Sequence, residues 1–291
     1  NVPALGFVEF QRTTDPATTY RIDARVPATA HKILVFGMRA EVAHDLVAGA
    51  RPVMGAGKEV RAKAVKYVTG KLPLWIPRAE VLVSDIRRTQ PGWTLMTLSA
   101  GDREDGKVTM APDFVPTAVM YDMEGEPVWY REHRMPRLGD TRYMDGRVLV
   151  QSMGSINEPK RAALEFDLAG DVVWQGPLQP ENTVLGHFNH HFERLPDGNY
   201  LTLKNSYQRK VIGDVIVIMR PDHREIWTWD TFDHIKPKMK LWDGKGNFDY
   251  AHGNSLVMDA TEGVVYYNAR HLSTVFKIQI STGKILWRLG Q

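Results

Sequence analysis

A hairpin signature that recurs four times constrains the fold of this chain more than any other feature. Each copy has two or three apolar residues, a turn containing Gly or Pro-Asp, two further apolar residues and then Trp. The copies span residues 119–129, 164–174, 217–227 and 276–287, and their Trp residues are 45, 53 and 60 positions apart. Apolar alternation on both sides of a tight turn predicts a β-hairpin that ends in a large aromatic residue.

A second set of strands precedes these copies. Hairpins are predicted at residues 144–150, 195–203 and 258–267, and a single strand is predicted at 93–98. Two hairpins every 45 to 60 residues give four strands per unit, which is the repeat of a β-propeller blade. The sequence therefore predicts an all-β fold with few helices and about four visible blades. A four-bladed ring and an incomplete part of a larger ring both fit, and the incomplete ring is favoured.

The first 88 residues lack the repeat and are predicted to form a separate domain. Residues 19–26, 31–36 and 59–65 alternate with period two between Pro and Gly. This pattern is typical of a small β-sandwich of fibronectin-like type. The segment 87–92 resembles a linker. We thus expect a sandwich at residues 1–88 and propeller blades at 89–291.

Composition excludes several classes of protein. The net charge is +3, and Lys and Arg are scattered along the chain, so nucleic-acid binding is not indicated. No apolar stretch approaches the roughly 20 residues of a membrane span. The chain contains no Cys, which excludes disulfides and thiolate metal sites.

Histidines concentrate where the predicted blades begin. Seven of the ten lie between His187 and His271. In a propeller the segment that enters the innermost strand lies near the central channel, so His190 or His191 would approach His252. Arg270 follows His252 by 18 residues and returns to the same end of its blade. Imidazole and guanidinium groups together favour binding of an anion such as a sulfuryl or phosphoryl group.

Other interpretations of these residues are more ordinary. The repeated Trp residues are predicted to pack the blades. A His-His pair can bind a metal, but no Glu-x-x-His, Cys pair or 2-His-1-carboxylate spacing accompanies it. We therefore predict no metal and no cofactor.

Several segments resemble the bacterial PAPS-independent arylsulfotransferases. The resemblance is most specific at residues 249–255, 268–271, 275–278 and 283–290. The segment around 190–199 is similar to an earlier His motif of that family, and 119–129 is similar to its first blade. The resemblance implies a six-bladed propeller with its active site in the central channel. It also implies transfer of a sulfuryl group from an aryl sulfate to a phenol, by a ping-pong route through a sulfohistidine.

The resemblance also implies roles for individual residues. His252, Arg270 and His190 would bind the sulfuryl oxygens and assist the leaving phenolate. His191 stands where the family has an acid.

Three further residues, together with His191, are assigned to substrate binding: Asn254, His271 and Tyr250. The family's nucleophilic His follows a Trp-x-Leu-Gly signature, so it is expected beyond Gln291. The family further implies a periplasmic or secreted location, small-molecule aryl sulfate and phenol as partners, and no nucleic acid or membrane span. A homo-oligomer, or a second chain that completes the propeller, stays open.

Two other functions remain open from the residues alone. One is a different propeller enzyme, a lyase or hydrolase that uses His and Tyr as base and acid, with Tyr250, Tyr266 or Tyr267 involved. The other is a non-catalytic propeller that binds an anion or a partner.

Overall fold

The structure is a computed structural model that describes most of the chain. The described residues are 2–53, 57–85, 87–98, 103–104, 107–108, 114–133, 138–152, 162–178, 186–208, 210–237 and 248–290. Contacts between Cα atoms divide the chain into two units. One unit comprises Asn1–Leu95 and Val119–Arg131, and the other comprises Met96–Ala118 and Glu132–Gln291. The domains predicted as 1–88 and 89–291 stay a prediction.

The amino-terminal region forms a five-stranded antiparallel sheet. Its strands are β1 (Ala4–Arg12), β2 (Asp15–Asp23), β3 (Ala43–Pro52), β4 (Val60–Arg61) and β5 (Val65–Val68). The order is β2-β1-β3-β4, and β5 also pairs with β3. Phe7 and Phe10 of β1 are buried on this sheet. The strands described within residues 1–88 all belong to this one sheet.

The strand predicted at residues 31–36 is wrong, because side-chain contacts hold this segment instead of a backbone ladder. The Nε2 atom of His31 lies 2.8 Å from the carbonyl oxygen of Ala4 in β1. The ring of Phe36 packs edge-on against Trp93, with 5.6 Å between the ring centroids. The alternation of apolar residues at 31–36 thus arises from side-chain packing, and the segment does not pair as a strand.

The first copy of the repeat lies in a three-stranded sheet. Its strands are β6 (Thr94–Leu98), β9 (Thr117–Tyr121) and β10 (Pro127–Glu132), in the order β10-β9-β6. The hairpin between β9 and β10 turns at Gly125, whose φ of 82° favours glycine. A separate pair of short strands is formed by β7 (Arg103–Glu104) and β8 (Lys107–Val108).

Three sheets follow, each with four antiparallel strands in chain order, and the second also has a short fifth strand in parallel pairing. The 138–175 blade contains β11 (Leu138–Met144), β12 (Arg147–Ser152), β13 (Ala163–Asp167) and β14 (Val172–Gln175). The 188–230 blade contains β15 (Phe188–Arg194), β16 (Tyr200–Gln208), β17 (Val211–Met219) and β18 (Glu225–Asp230). The 253–290 blade contains β20 (Gly253–Asp259), β21 (Val264–Ala269), β22 (Thr274–Gln279) and β23 (Ile285–Gly290).

These four-stranded sheets have the arrangement of propeller blades. The predicted hairpins and the all-β class are therefore confirmed. The described helices are one turn each, α1 (Thr231–His234) and a 3₁₀ helix (Arg270–Leu272), as expected for a chain with few helices. Among the described residues no helix is long and apolar enough to cross a membrane.

The repeated Trp residues connect one blade to the next. The indole N–H of Trp174 donates a 2.9 Å hydrogen bond to the carbonyl oxygen of Pro221, in the turn between β17 and β18. Trp227 repeats this contact one blade later, with a 3.0 Å bond to Ile280. Trp174 also stacks on Tyr200, with 3.9 Å between the ring centroids. The predicted packing role of the repeated Trp is thus confirmed for Trp174 and Trp227.

Candidate active site

His190 and His252 occupy the same kind of position at the start of consecutive blades. Both have left-handed backbone conformations, with φ of 47° and 50°, which non-glycine residues seldom adopt. The ladder register shifts beside each of them, in β15 after Asn189 and in β20 after Gly253. Such bulges re-aim side chains out of the regular alternation. The two imidazole rings meet with 4.8 Å between their centroids.

Asp249 orients two of the histidines. It belongs to a short strand, β19 (Phe248–Asp249), which pairs in parallel with the start of β17. Its carboxylate accepts a 2.5 Å hydrogen bond from Nδ1 of His252, and its carbonyl oxygen accepts a 2.8 Å bond from Nδ1 of His271. Both oxygens only accept, so each Nδ1 carries the proton and each neutral ring keeps its lone pair on Nε2. The centroids of the His252 and His271 rings are 4.6 Å apart.

Arg270 adds a positive charge to this group. It begins the 3₁₀ helix, and its backbone N–H donates a 3.1 Å bond to the carbonyl oxygen of His252. Burial, the neighbouring His252 and the Arg270 guanidinium lower the pKa of His190, and Asp249 acts in the opposite direction. His190 is therefore kept neutral at neutral pH. We call His190, Asp249, His252, Arg270 and His271 the histidine cluster.

Asp214 holds the backbone next to His252 in place, and the sequence analysis did not identify it. Its carboxylate is buried in β17 and accepts a 2.7 Å bond from the N–H of Gly253 and a 2.6 Å bond from the hydroxyl of Tyr267. Burial raises its pKa to about 6, although both hydrogen bonds lower it. Asp214 therefore fixes the backbone directly after His252. The available signal was an acid in the middle of the apolar strand Val211–Met219.

His191 faces away from the histidine cluster. Its side chain is 0% exposed. Its Nδ1 atom accepts hydrogen bonds from the Arg142 guanidinium at 3.2 Å and from the N–H of Leu256 at 3.3 Å, and its Nε2–H donates to Glu193 at 3.2 Å. Burial lowers its pKa. These contacts join strands of three blades, so the structure gives His191 the environment of a neutral packing residue.

Tyr250 is also directed elsewhere. It is fully buried, its ring packs 5.2 Å from that of Phe232, and its hydroxyl donates a 3.3 Å bond to the carbonyl oxygen of Ile235. Asn254 lies at the bulge of β20, two residues after His252, and is exposed. The structure thus brings together His190, His252, His271 and Arg270, and places Asn254 nearby in the chain.

The histidine cluster suits the binding of an anion and the movement of a proton. Imidazole Nε2 atoms can accept or donate a proton at neutral pH, and the Arg270 guanidinium can donate hydrogen bonds to an oxyanion. Asp249 stabilises a protonated His252 through the Nδ1 bond, as an orienting carboxylate does in acid–base sites. Of the three tyrosines considered as the acid, Tyr250 and Tyr267 are buried, and the hydroxyl of Tyr267 is bonded to Asp214.

Comparisons with known proteins add to this geometry. A solved protein of unknown function from Bacteroides caccae is 14% identical, with a TM-score of 0.42, over 69% of this chain and 58% of that one. The dihydro-heme d1 dehydrogenase NirN is 10% identical, with a TM-score of 0.33, over 60% of this chain and 33% of that one. The chain therefore spans less than two thirds of either structure, and at these TM-scores the fold rests on the sheets described above.

A search of curated proteins gives no match. In the scan against family models, the family described as arylsulfotransferase (ASST) matches residues 84–291. The match includes every residue of the histidine cluster.

Proposed function

This chain belongs to the arylsulfotransferase (ASST) family, and from that premise we propose that it transfers a sulfuryl group from an aryl sulfate to a phenolic acceptor. The proposed reaction is of the PAPS-independent type, in which the aryl sulfate itself is the donor and no cofactor takes part. The observation that carries it is the approach of His190 to His252, with Asp249 behind His252 and the Arg270 charge alongside.

We assign the sulfuryl oxygens to Arg270, His252 and His190. A guanidinium donates hydrogen bonds to sulfuryl oxygens, and these bonds strengthen as charge develops on the group in transfer. The approach of the imidazoles from two blades fixes the group between them. His271, whose ring is 4.6 Å from that of His252, extends this surface toward the aryl portion of the donor.

Proton movement is assigned to His252. As the S–O bond of the donor breaks, the protonated imidazole gives its Nε2 proton to the leaving phenolate, and the sulfuryl group passes to a histidine nitrogen. In the second half-reaction the neutral imidazole takes the proton of the acceptor phenol. The phenol oxygen forms the new S–O bond as the S–N bond to the histidine nitrogen breaks, and the electron pair of that S–N bond returns to the nitrogen. Asp249 stabilises the charge on His252 in the protonated state. The nucleophile was expected outside residues 1–291, and this stays a prediction.

Family membership also supports proposals about context. We propose that the protein is exported, to the periplasm or out of the cell, and that its partners are small phenols and their sulfate esters. No nucleic acid is proposed as a partner, since the small net charge of +3 is spread along the chain.

The test is a transfer assay on the full-length protein with 4-nitrophenyl sulfate as donor and phenol as acceptor. We expect release of 4-nitrophenolate that depends on the acceptor, with ping-pong kinetics. Loss of one oxyanion donor typically lowers the rate 10²- to 10³-fold, and we expect a loss of that order for Arg270→Ala and His252→Ala. His223→Ala is the matched control, because His223 lies in the exposed β17–β18 turn and contacts the carbonyl oxygen of Gln175. Absence of transfer by the folded full-length protein would refute the proposal.

A further inference from the structure

Part of the histidine cluster has the composition of a metal site. Asp249, His252 and His271 each offer one ligating atom, and these atoms all lie within 4.8 Å of one another. The side chains are partly buried, with exposed fractions of 17%, 23% and 22%. Two imidazoles and one carboxylate suit zinc and its neighbours in the transition series. The sequence spacing, Asp-x-x-His with a second His 19 positions later, matches none of the familiar metal motifs.

The distances are close to those of a bound ion. Ligand atoms at about 2.0–2.1 Å from one tetrahedral zinc are about 3.4 Å from each other. The atoms of this group lie within 4.8 Å of one another and therefore need to approach by up to about 1.4 Å, a movement that rotations of side-chain torsions supply. The ring of His190, 4.8 Å from that of His252, adds a fourth donor beside the group.

The hydrogen bonds of the two histidines already hold their rings against Asp249. The Asp249 carboxylate accepts a bond from Nδ1 of His252, and the Asp249 carbonyl oxygen accepts one from Nδ1 of His271. To bind one ion together with the carboxylate, each ring exchanges this hydrogen bond for a direct bond from Nδ1 to the ion and releases the Nδ1 proton.

We propose that Asp249, His252 and His271 bind one divalent transition-metal ion, of which Zn²⁺ is the representative, and that this ion excludes an anion from the same cluster. The ion binds where the proposed function places a sulfuryl group, so Zn²⁺ acts as an inhibitor of that reaction. Binding of the ion itself is measured without turnover, and its outcome is independent of whether sulfuryl transfer occurs.

The charge of Arg270 is expected to affect metal binding and anion binding in opposite directions. Its positive charge acts on His190 across the cluster, so it attracts an anion and repels a divalent cation. Arg270→Ala is therefore expected to weaken the binding of inorganic sulfate and to tighten the binding of Zn²⁺ by roughly threefold at low ionic strength. A variant that merely disturbed the fold would weaken both.

The experiment is calorimetric titration of the tag-free full-length protein with ZnCl₂, and in parallel with sodium sulfate, in a non-coordinating buffer near neutral pH. We expect one saturable Zn²⁺ site. His252→Ala, His271→Ala and Asp249→Asn should each weaken it by roughly tenfold to a hundredfold, in line with the loss of a ligand or its orienting partner. His223→Ala, with its unrelated surface histidine, should leave it unchanged. Titration with CoCl₂ should give the visible absorption bands of a site with nitrogen ligands.

Three results would overturn the proposal. The first is the absence of saturable Zn²⁺ binding by the wild-type protein. The second is equal affinity in the wild type and in a folded His252→Ala, His271→Ala double variant. The third is weaker Zn²⁺ binding by Arg270→Ala, with folding verified by circular dichroism.

Discussion

Replacement of Asp214 by Asn should make the protein more stable above pH 6. The pKa of this buried carboxyl is raised from 3.8 to about 6 in the folded state. Because the folded state holds the proton more tightly than the unfolded chain, stability falls as the pH rises from about 4 to 6 and stays reduced above that range. A shift of about two units corresponds to about 3 kcal/mol, at 1.36 kcal/mol per unit.

The Asn variant keeps the hydrogen bonds that Asp214 makes. Gly253 N–H and the Tyr267 hydroxyl both bond to one carboxylate oxygen, Oδ2, and a single amide oxygen has two lone pairs with which to accept them. Asn therefore removes the buried charge without leaving either donor unpaired. We expect a gain of about 2 kcal/mol at pH 8 and little difference at pH 4, allowing for the loss of charge-assisted bonds.

The assay is urea unfolding of both proteins at pH 4, 6 and 8, followed by tryptophan fluorescence. Asp214→Ala serves as the comparison, since it leaves two buried donors without an acceptor and should cost about 2–4 kcal/mol at each pH. The reasoning is refuted if the difference between the Asn variant and the wild type is the same at pH 4 and pH 8, or if the Asn variant is the less stable protein at pH 8.

Three further substitutions test other parts of the structure. Gly253→Ala should cost about 1–3 kcal/mol in thermal unfolding, because the new Cβ would lie 2.6 Å from the ring of Tyr267; an unchanged midpoint would contradict this packing. Trp174→Phe should lower stability by about 1–2 kcal/mol through loss of the bond to the carbonyl of Pro221 and part of the stacking, and a variant as stable as the wild type would show that this contact is dispensable. His191→Ala should cost about 2–3 kcal/mol in urea unfolding and leave sulfate affinity within about twofold, because its ring bonds inside the blades; a selective loss of sulfate binding would place it in the site after all.

The repeat could be predicted from the sequence because its signals are local. The turn residues and the Trp at the end of each copy specify a hairpin within about ten positions, and the structure has a hairpin at each copy. The segment 31–36 shows the limit of this reasoning. Its alternation matched a strand, but a strand also needs a partner, and there the side chain of His31 contacts β1 instead.

The cluster was predictable in part. His190 and His252 lie at equivalent positions of consecutive blades, and this predicted that they would be close together. The separation of 18 residues between His252 and Arg270 predicted that Arg270 lies at the same end of the blade as His252. The sequence did not show which of His190 and His191 lies in the cluster. Adjacent residues of a strand point to opposite faces, and a bulge at this position changes which of the two faces the cluster.

The local signal for Asp214 was an acid within the apolar strand Val211–Met219. Its partners, Gly253 and Tyr267, lie in the next blade, and no local pattern identifies them.

The left-handed backbone of His190 and His252 has a consequence for variants that abolish activity. In this conformation a side chain costs about 1–2 kcal/mol relative to glycine. Ala keeps that strain and Gly relieves it, so His→Gly is the less disruptive replacement at both positions. Each Gly variant also leaves a space the size of an imidazole, into which free imidazole added to the solution can diffuse. The geometry that sets these histidines apart from ordinary strand residues thus makes them suitable sites for chemical rescue.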